Sequence, residues 1–162
     1  MNTAFARLDQ IAPFIHISSS ALFIAVQLSI VIFAKYFFKN IEQNPNLYKT
    51  ILKEFGYFVK LELAAIFILC ISGVFAAFTG KIRISDPMVE AIMLTKWALL
   101  AFILLNIVYM WYKFGKAKKA FSSGDLLSVH ENFVLIIYYF TPLNIVLSFI
   151  SIYLGVTFRG FQ

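Results

Sequence analysis

Apolar residues along this chain fall in four long blocks separated by short polar stretches, near Ile11–Ala34, Tyr57–Thr79, Val89–Tyr112 and Phe133–Val156. Each block matches the roughly 20 residues that a helix needs to cross a hydrocarbon core. Stretches such as Leu61–Leu69 lack the alternation of a membrane β-barrel strand. Helices are the spanning form that satisfies its own peptide groups in lipid. The pattern predicts an all-α integral membrane protein, a four-helix up-down-up-down bundle occupying residues 1–162 as a single domain.

Polar punctuation fixes where those helices turn. Asn44-Pro45 reads as an N-cap with proline at the first helical position, so the second helix is expected to begin there, short of the bilayer. Asp86-Pro87 repeats the device before the third span, and Gly80 closes the second. The third helix is expected to run past Lys119 and stop at Ser122-Ser123-Gly124, with Asp125 capping the fourth. Pro142 lies inside the fourth block, where it should kink the helix and free the carbonyl of Tyr138. Ser18–Ala21, Ser72-Gly73 and Ala76-Ala77 are places where helices can approach closely.

Composition agrees with the pattern: 61% of residues are hydrophobic, 14% are charged, and the mean hydropathy is +0.84. So few charges cannot cover the surface of a soluble domain of this length. The net charge of +6 is informative through its distribution. Lys35, Lys39, Lys49, Lys53, Lys60, Lys113, Lys116, Lys118 and Lys119 flank the first and third loops, against Arg7, Lys81, Arg83 and Arg159 on the other side. The positive-inside rule then puts those two loops in the cytoplasm and both termini in the periplasm of a cytoplasmic (inner) membrane. The first block is read as a retained span rather than a signal peptide, being long, without a small-residue cleavage motif and followed by Lys35 and Lys39. No soluble basic platform with interleaved aromatics is present, so nucleic acid is not an expected partner. The single cysteine, Cys70, excludes an internal disulfide.

Ionisable residues inside spans are costly and mark function by default. His16, Glu62 and Lys96 qualify. His16 lies about five residues into the first span, roughly 7 Å below its boundary, and Lys96 about seven residues into the third, which enters from the same side. The two should share one depth, with Met93 one turn from Lys96 on its face. Glu62 enters from the other side, about 15 Å of depth from Lys96, and is expected to form an interfacial ion pair with Lys113 or Lys116. Plainer readings exist for the others: His16 as the partner of a serine or a carbonyl, and Lys96 as a snorkelling side chain. His130, the other histidine, belongs to the opposite membrane face and cannot share a haem with His16. There is no Cys-x-x-Cys-His motif, phosphate loop or metal-spaced His/Cys cluster.

With Phe14-Ile15-His16-Ile17 in the first span, Ile71-Ser72-Gly73-Val74 in the second, Leu94-Thr95-Lys96-Trp97 opening the third, Gly115 before a basic tail and Pro142 early in the fourth, the chain resembles the HemJ-type protoporphyrinogen oxidases and the related CopD-like membrane proteins. It departs from that family where Phe23, Ala25, Val31-Ile32 and Phe140-Thr141 stand in place of its usual residues. The resemblance implies a b-type haem and porphyrinogen oxidation. It carries over His16 as the haem and metal ligand and Lys96 as partner of a propionate or other anion. Met93, at a suitable depth, is a candidate second axial ligand, beside His16 of a second protomer or an open position. Whether the chain is an enzyme is left open. Two other expectations stand beside haem. One is a non-catalytic accessory subunit in a homodimer or larger, for example respiratory, membrane complex. The other is copper handling through Met88, Met93 and His16, whose soft ligands suit Cu(I).

Overall fold

The computed structural model describes residues 3–41, 47–79 and 87–159. Four apolar stretches run as long helices: α1 (Thr3–Asn40), α2 (Leu47–Thr79), α3 (Pro87–Ser122) and a fourth built from α4 (Leu126–Val134), a π-helical turn (Leu135–Phe140) and α5 (Thr141–Arg159). Each contains a segment long and apolar enough to cross a membrane: Pro13–Asn40, Leu47–Phe75, Pro87–Ser122 and Leu126–Thr157. The described helices extend beyond the predicted apolar blocks, because Lys, Glu and Gln are good helix formers and carry the helix on past the hydrocarbon boundary. Phe14, Ile32, Phe67, Leu105 and Tyr153 point outwards, so the bundle presents an apolar surface to lipid.

The expected starts at Asn44-Pro45 and Asp86 and the stop at Gly80 lie outside the described residues, though Pro87 is the first residue of α3. The turn after α3 is described in full. Gly124 adopts a positive φ of 79°, which L side chains rarely tolerate, and the helix stops there. Asp125 then accepts a 3.0 Å hydrogen bond from the Ser128 N–H and opens α4.

Pro142 acts differently from a simple kink. The turn before it widens to π geometry, and Thr141 directs both its N–H and its hydroxyl to the Ile136 carbonyl, the latter at 2.8 Å. A residue with no N–H to give is accommodated by an extra residue in the turn, and the fourth span stays continuous.

Two apolar layers fill the bundle. One, nearer the lysine-rich end (the basic end), packs Ile30, Ile51, Phe55, Phe114, Phe133 and Ile136 among others, with Phe55 and Phe133 rings 5.3 Å apart and edge to face. The second, further from that end, is smaller: Phe23, Ala65, Ile66, Ile103 and Ile107. Packing is uneven around the ring of helices. α1 and α2 lie together along their length, whereas α2 and α3 touch at few places.

The Asp125 cap should be acid-labile. The Ser128 N–H and hydroxyl bound to it hold its carboxyl below the usual carboxylate range. Its contribution is therefore complete above about pH 3.9 and is lost as pH falls through the lower folded value. Exchange of the Ser128 amide, measured relative to its intrinsic rate, should accelerate across that window. Asp125→Ala should show the fast rate at every pH, and a Ser128 amide indifferent to both changes contradicts the assignment.

Candidate functional site

Lipid supplies no hydrogen-bond partner, so polar side chains inside the bundle must find one another. Here they do so in two layers.

The first layer lies towards the end opposite the lysines. His16 projects from α1, and its Nδ1 is 3.0 Å from the Ser72 Oγ on α2. The Ser72 hydroxyl donates to the Leu69 carbonyl at 3.0 Å. With the serine proton so directed, its lone pair faces the ring, and the hydrogen-bond network assigns the imidazole proton to Nδ1. Nε2 is then left as the ring nitrogen with a free lone pair. Gly73 packs closely beside it: a Cβ there would sit 3.2 Å from His16 Cε1. Across the bundle Lys96 leans on Gly155 of α5, where a Cβ would come within 3.3 Å of Nζ. His16 and Lys96 therefore lie at a similar depth, one packed against Gly73 of α2 and the other against Gly155 of α5. Met93 is half-buried on α3, one turn from Lys96.

The second layer comprises Gln27, Glu62, Asn106 and Asn144, one buried polar residue from each span. Gln27 lies eleven residues along α1 from His16, and Asn106 ten along α3 from Lys96. Both offsets correspond to about 16 Å at the helical rise. Gln27 donates through Nε2 to Glu62 Oε1. Asn106 donates through Nδ2 to Asn144 Oδ1 at 3.1 Å, and Asn144 Nδ2 donates in turn to the Met110 sulfur at 3.3 Å. Gln27 is 0% and Glu62 2% exposed.

These burials correct the interfacial reading of Glu62. Its depth along α2 is as expected, but the side chain faces α1, where Gln27 meets it, and not the lysines of α3. Lys113 and Lys116 instead lie over the rings of Tyr109 and Tyr112, at 5.5 and 4.8 Å from the ring centroids. His130 is at the basic end, 3.3 Å from the Tyr48 hydroxyl and edge-on to Phe38, well apart from His16.

Gln27, Asn106 and Asn144 escape a search for ionisable residues alone. Their signal is an amide interrupting an apolar run, as in Ala25-Val26-Gln27-Leu28 and Leu104-Leu105-Asn106-Ile107. Among the described residues no group of three or more His, Cys, Asp and Glu converges to hold a metal ion. No family model matches this chain, and no curated protein or solved structure matches it either.

The Gln27–Glu62 pair yields a clear expectation. Gln27→Ala and Glu62→Ala should each lower stability by about 1–2 kcal/mol, since each leaves a buried polar partner alone. The double variant should cost less than the sum of the two. Unfolding titrations in mixed micelles measure all three, with Lys113→Gln as a silent control. Additive losses, or a Lys113→Gln loss as large as that of Glu62→Ala, would restore the interfacial ion pair.

Proposed function

We propose that this chain is a haem-binding membrane protein, with His16 as an axial ligand of a b-type haem and Lys96 as the cation that pairs with a haem carboxylate. The observation that carries the reading is the His16–Ser72 hydrogen bond. A histidine that ligates a metal through one ring nitrogen characteristically donates from the other, which fixes tautomer and ring orientation. His16 is held in that way, with Nδ1 engaged by Ser72 and Nε2 free.

The donor set fits haem better than a hard bare ion: a tetrahedral site needs three or four nitrogen, oxygen or thiolate ligands, and among the described residues no such group of His, Cys, Asp and Glu converges beside His16. Haem supplies four nitrogens of its own and asks the protein for one or two. Gly73 and Gly155 let the His16 ring and the Lys96 ammonium pack directly against α2 and α5. When bound, the haem supplies one-electron redox chemistry, which supports an oxidoreductase role akin to that of the HemJ-type proteins. Ser72 orients the imidazole, Lys96 offers the positive charge, and the apolar layer around Phe23 and Ile103 keeps water from the site. Met93 or His16 of a second protomer would supply a second ligand, or the position would stay open, and each case would leave a distinct spectrum. An accessory subunit of a larger membrane complex, or copper handling at Met88, Met93 and His16, takes the lead if haem is absent.

The basic end belongs in the cytoplasm on this reading and both termini in the periplasm, on the strength of the lysine distribution. Reporter fusions in the Ser122–Asp125 turn and after Gln162 should be active on opposite sides of the membrane. A cytoplasmic reporter active after Gln162 would reverse the orientation.

Haem content and the visible spectrum, compared in wild type, His16→Ala and Lys96→Ala at matched protein amounts, test the ligation. The wild type should show a Soret band, His16→Ala should lose it, and Lys96→Ala should lose part of it. Ser72→Ala should retain haem with a shifted reduced spectrum. Wild type purified without haem from haem-replete cells sinks the proposal, as does an unchanged spectrum in His16→Ala.

A further inference from the structure

The loose seam between α2 and α3 opens at the basic end into a groove of about 590 Å³. Its residues are ordered along the membrane normal. Gly56 faces the tip of the Phe114 ring and marks the middle, since a Cβ there would rest 3.8 Å from Phe114 Cζ. Lys49, Lys53 and Lys118 lie towards the aqueous end from that level. Val59 and Leu63 lie towards the bilayer centre, with Trp111 on the facing helix. Lys60 enters from below, its ammonium 5.9 Å from the Tyr57 ring and so turned back towards the aqueous end. Lys118 extends over the Phe114 ring at 4.5 Å. Four lysines and no carboxylate line the groove.

We propose that this groove is a binding site for one anionic phospholipid, its phosphate held among Lys53, Lys60 and Lys118 and an acyl chain laid along Val59 and Leu63. The axial order is what selects the occupant. A soluble anion would match the lysines and leave the apolar half uncovered, whereas a zwitterionic lipid would match the apolar half and leave the charge uncompensated. A molecule with an anionic head and an apolar tail matches both. Trp111 and Tyr57, both exposed beside the groove, sit where amphipathic rings meet headgroups. Basic pockets between helices at an interface are a recurrent way of holding such lipids. The weak contact between α2 and α3 also makes sense on this view, since the lipid completes a seam that side chains leave open.

The test uses the full chain purified in neutral detergent, with phosphatidylglycerol, phosphatidylcholine and inorganic phosphate as separate probes. Native mass spectrometry counts retained lipid, and thermal unfolding reads stabilisation. One phosphatidylglycerol should be retained and should raise the melting temperature, while phosphatidylcholine and inorganic phosphate should do neither. Each groove lysine should be worth about fivefold in affinity, so Lys53→Gln with Lys118→Gln should weaken retention by about tenfold or more. Lys35→Gln with Lys39→Gln, at the same end but outside the groove, should change it by less than about twofold. Gly56→Leu keeps every charge and fills the groove, and it too should release the lipid, with circular dichroism confirming that the helices persist. Equal losses in the groove and control variants would reduce the effect to general interfacial charge and overturn the site. So would retention of phosphatidylcholine, stabilisation by inorganic phosphate alone, or a groove closed by a second copy, seen as a lipid-independent dimer abolished by Gly56→Leu.

Discussion

The structure depends on one constraint: inside the bilayer a polar side chain has only other parts of the chain to bond with. Gln27, Glu62, Asn106 and Asn144 meet it in large part by arriving at one level from four helices, so that each residue finds a partner across a helix interface and only Gln27 Oε1 among the described buried side-chain atoms is left without one. His16 and Ser72 meet it a few turns away. These bonds also set register. In antiparallel α1 and α2, the His16–Ser72 and Gln27–Glu62 bonds fall at nearly the same sum of residue numbers, so a single sliding position satisfies both. A slip by one turn would break both at once. The hydrophobic effect cannot specify register so sharply here, because lipid tails are as apolar as leucine.

The layers divide the labour of packing. Between them lies the small apolar cluster of Phe23, Ala65, Ile66, Ile103 and Ile107, built of residues one turn or less from the polar ones on their own helices. Ala65 and Ser72-Gly73 keep α1 and α2 close, consistent with their tight association. Below the second layer the aromatic cluster of Phe55, Phe114 and Phe133 takes over. The π-helical turn belongs to the same economy. It carries the fourth span past Pro142 and still leaves Asn144, two residues on, wholly buried against Asn106.

Depth was legible in the sequence, and azimuth was not. Four apolar blocks with their breaks at Ser122–Asp125 and Pro87 are enough to recover the helices, because spanning length and turn chemistry are local properties. Counting residues from the ends of the blocks also put His16 and Lys96 at one level. The same count placed Glu62 at the right height and then assigned it the wrong neighbour. Which way Glu62 points depends on the rotation of α2 against α1, and that rotation is settled by Gln27, a residue that looks unremarkable until its partner is seen. Lys113 and Lys116 looked available by height alone, yet each had a tyrosine one turn away on its own helix. The groove between α2 and α3 is likewise invisible in one dimension, since it is the result of two helices failing to close.

The two polar layers hold opposite charge-bearing groups, Lys96 in one and Glu62 in the other, and their separation decides how each is compensated. At about 16 Å and an effective dielectric near 20, unit charges attract by only about 1 kcal/mol. That is far less than the cost of holding either charge away from water. Each layer must therefore balance its own charge. Glu62 has the Gln27 amide as a donor. Lys96 packs against Gly155, and among the described residues no carboxylate pairs with it. Among the described residues this layer therefore offers an imidazole and a cation that no carboxylate neutralises, a pair that would suit a ligand both electron-poor and negative. A metalloporphyrin carries both, iron at its centre and carboxylates at its edge, and the proposed haem reading rests on that match.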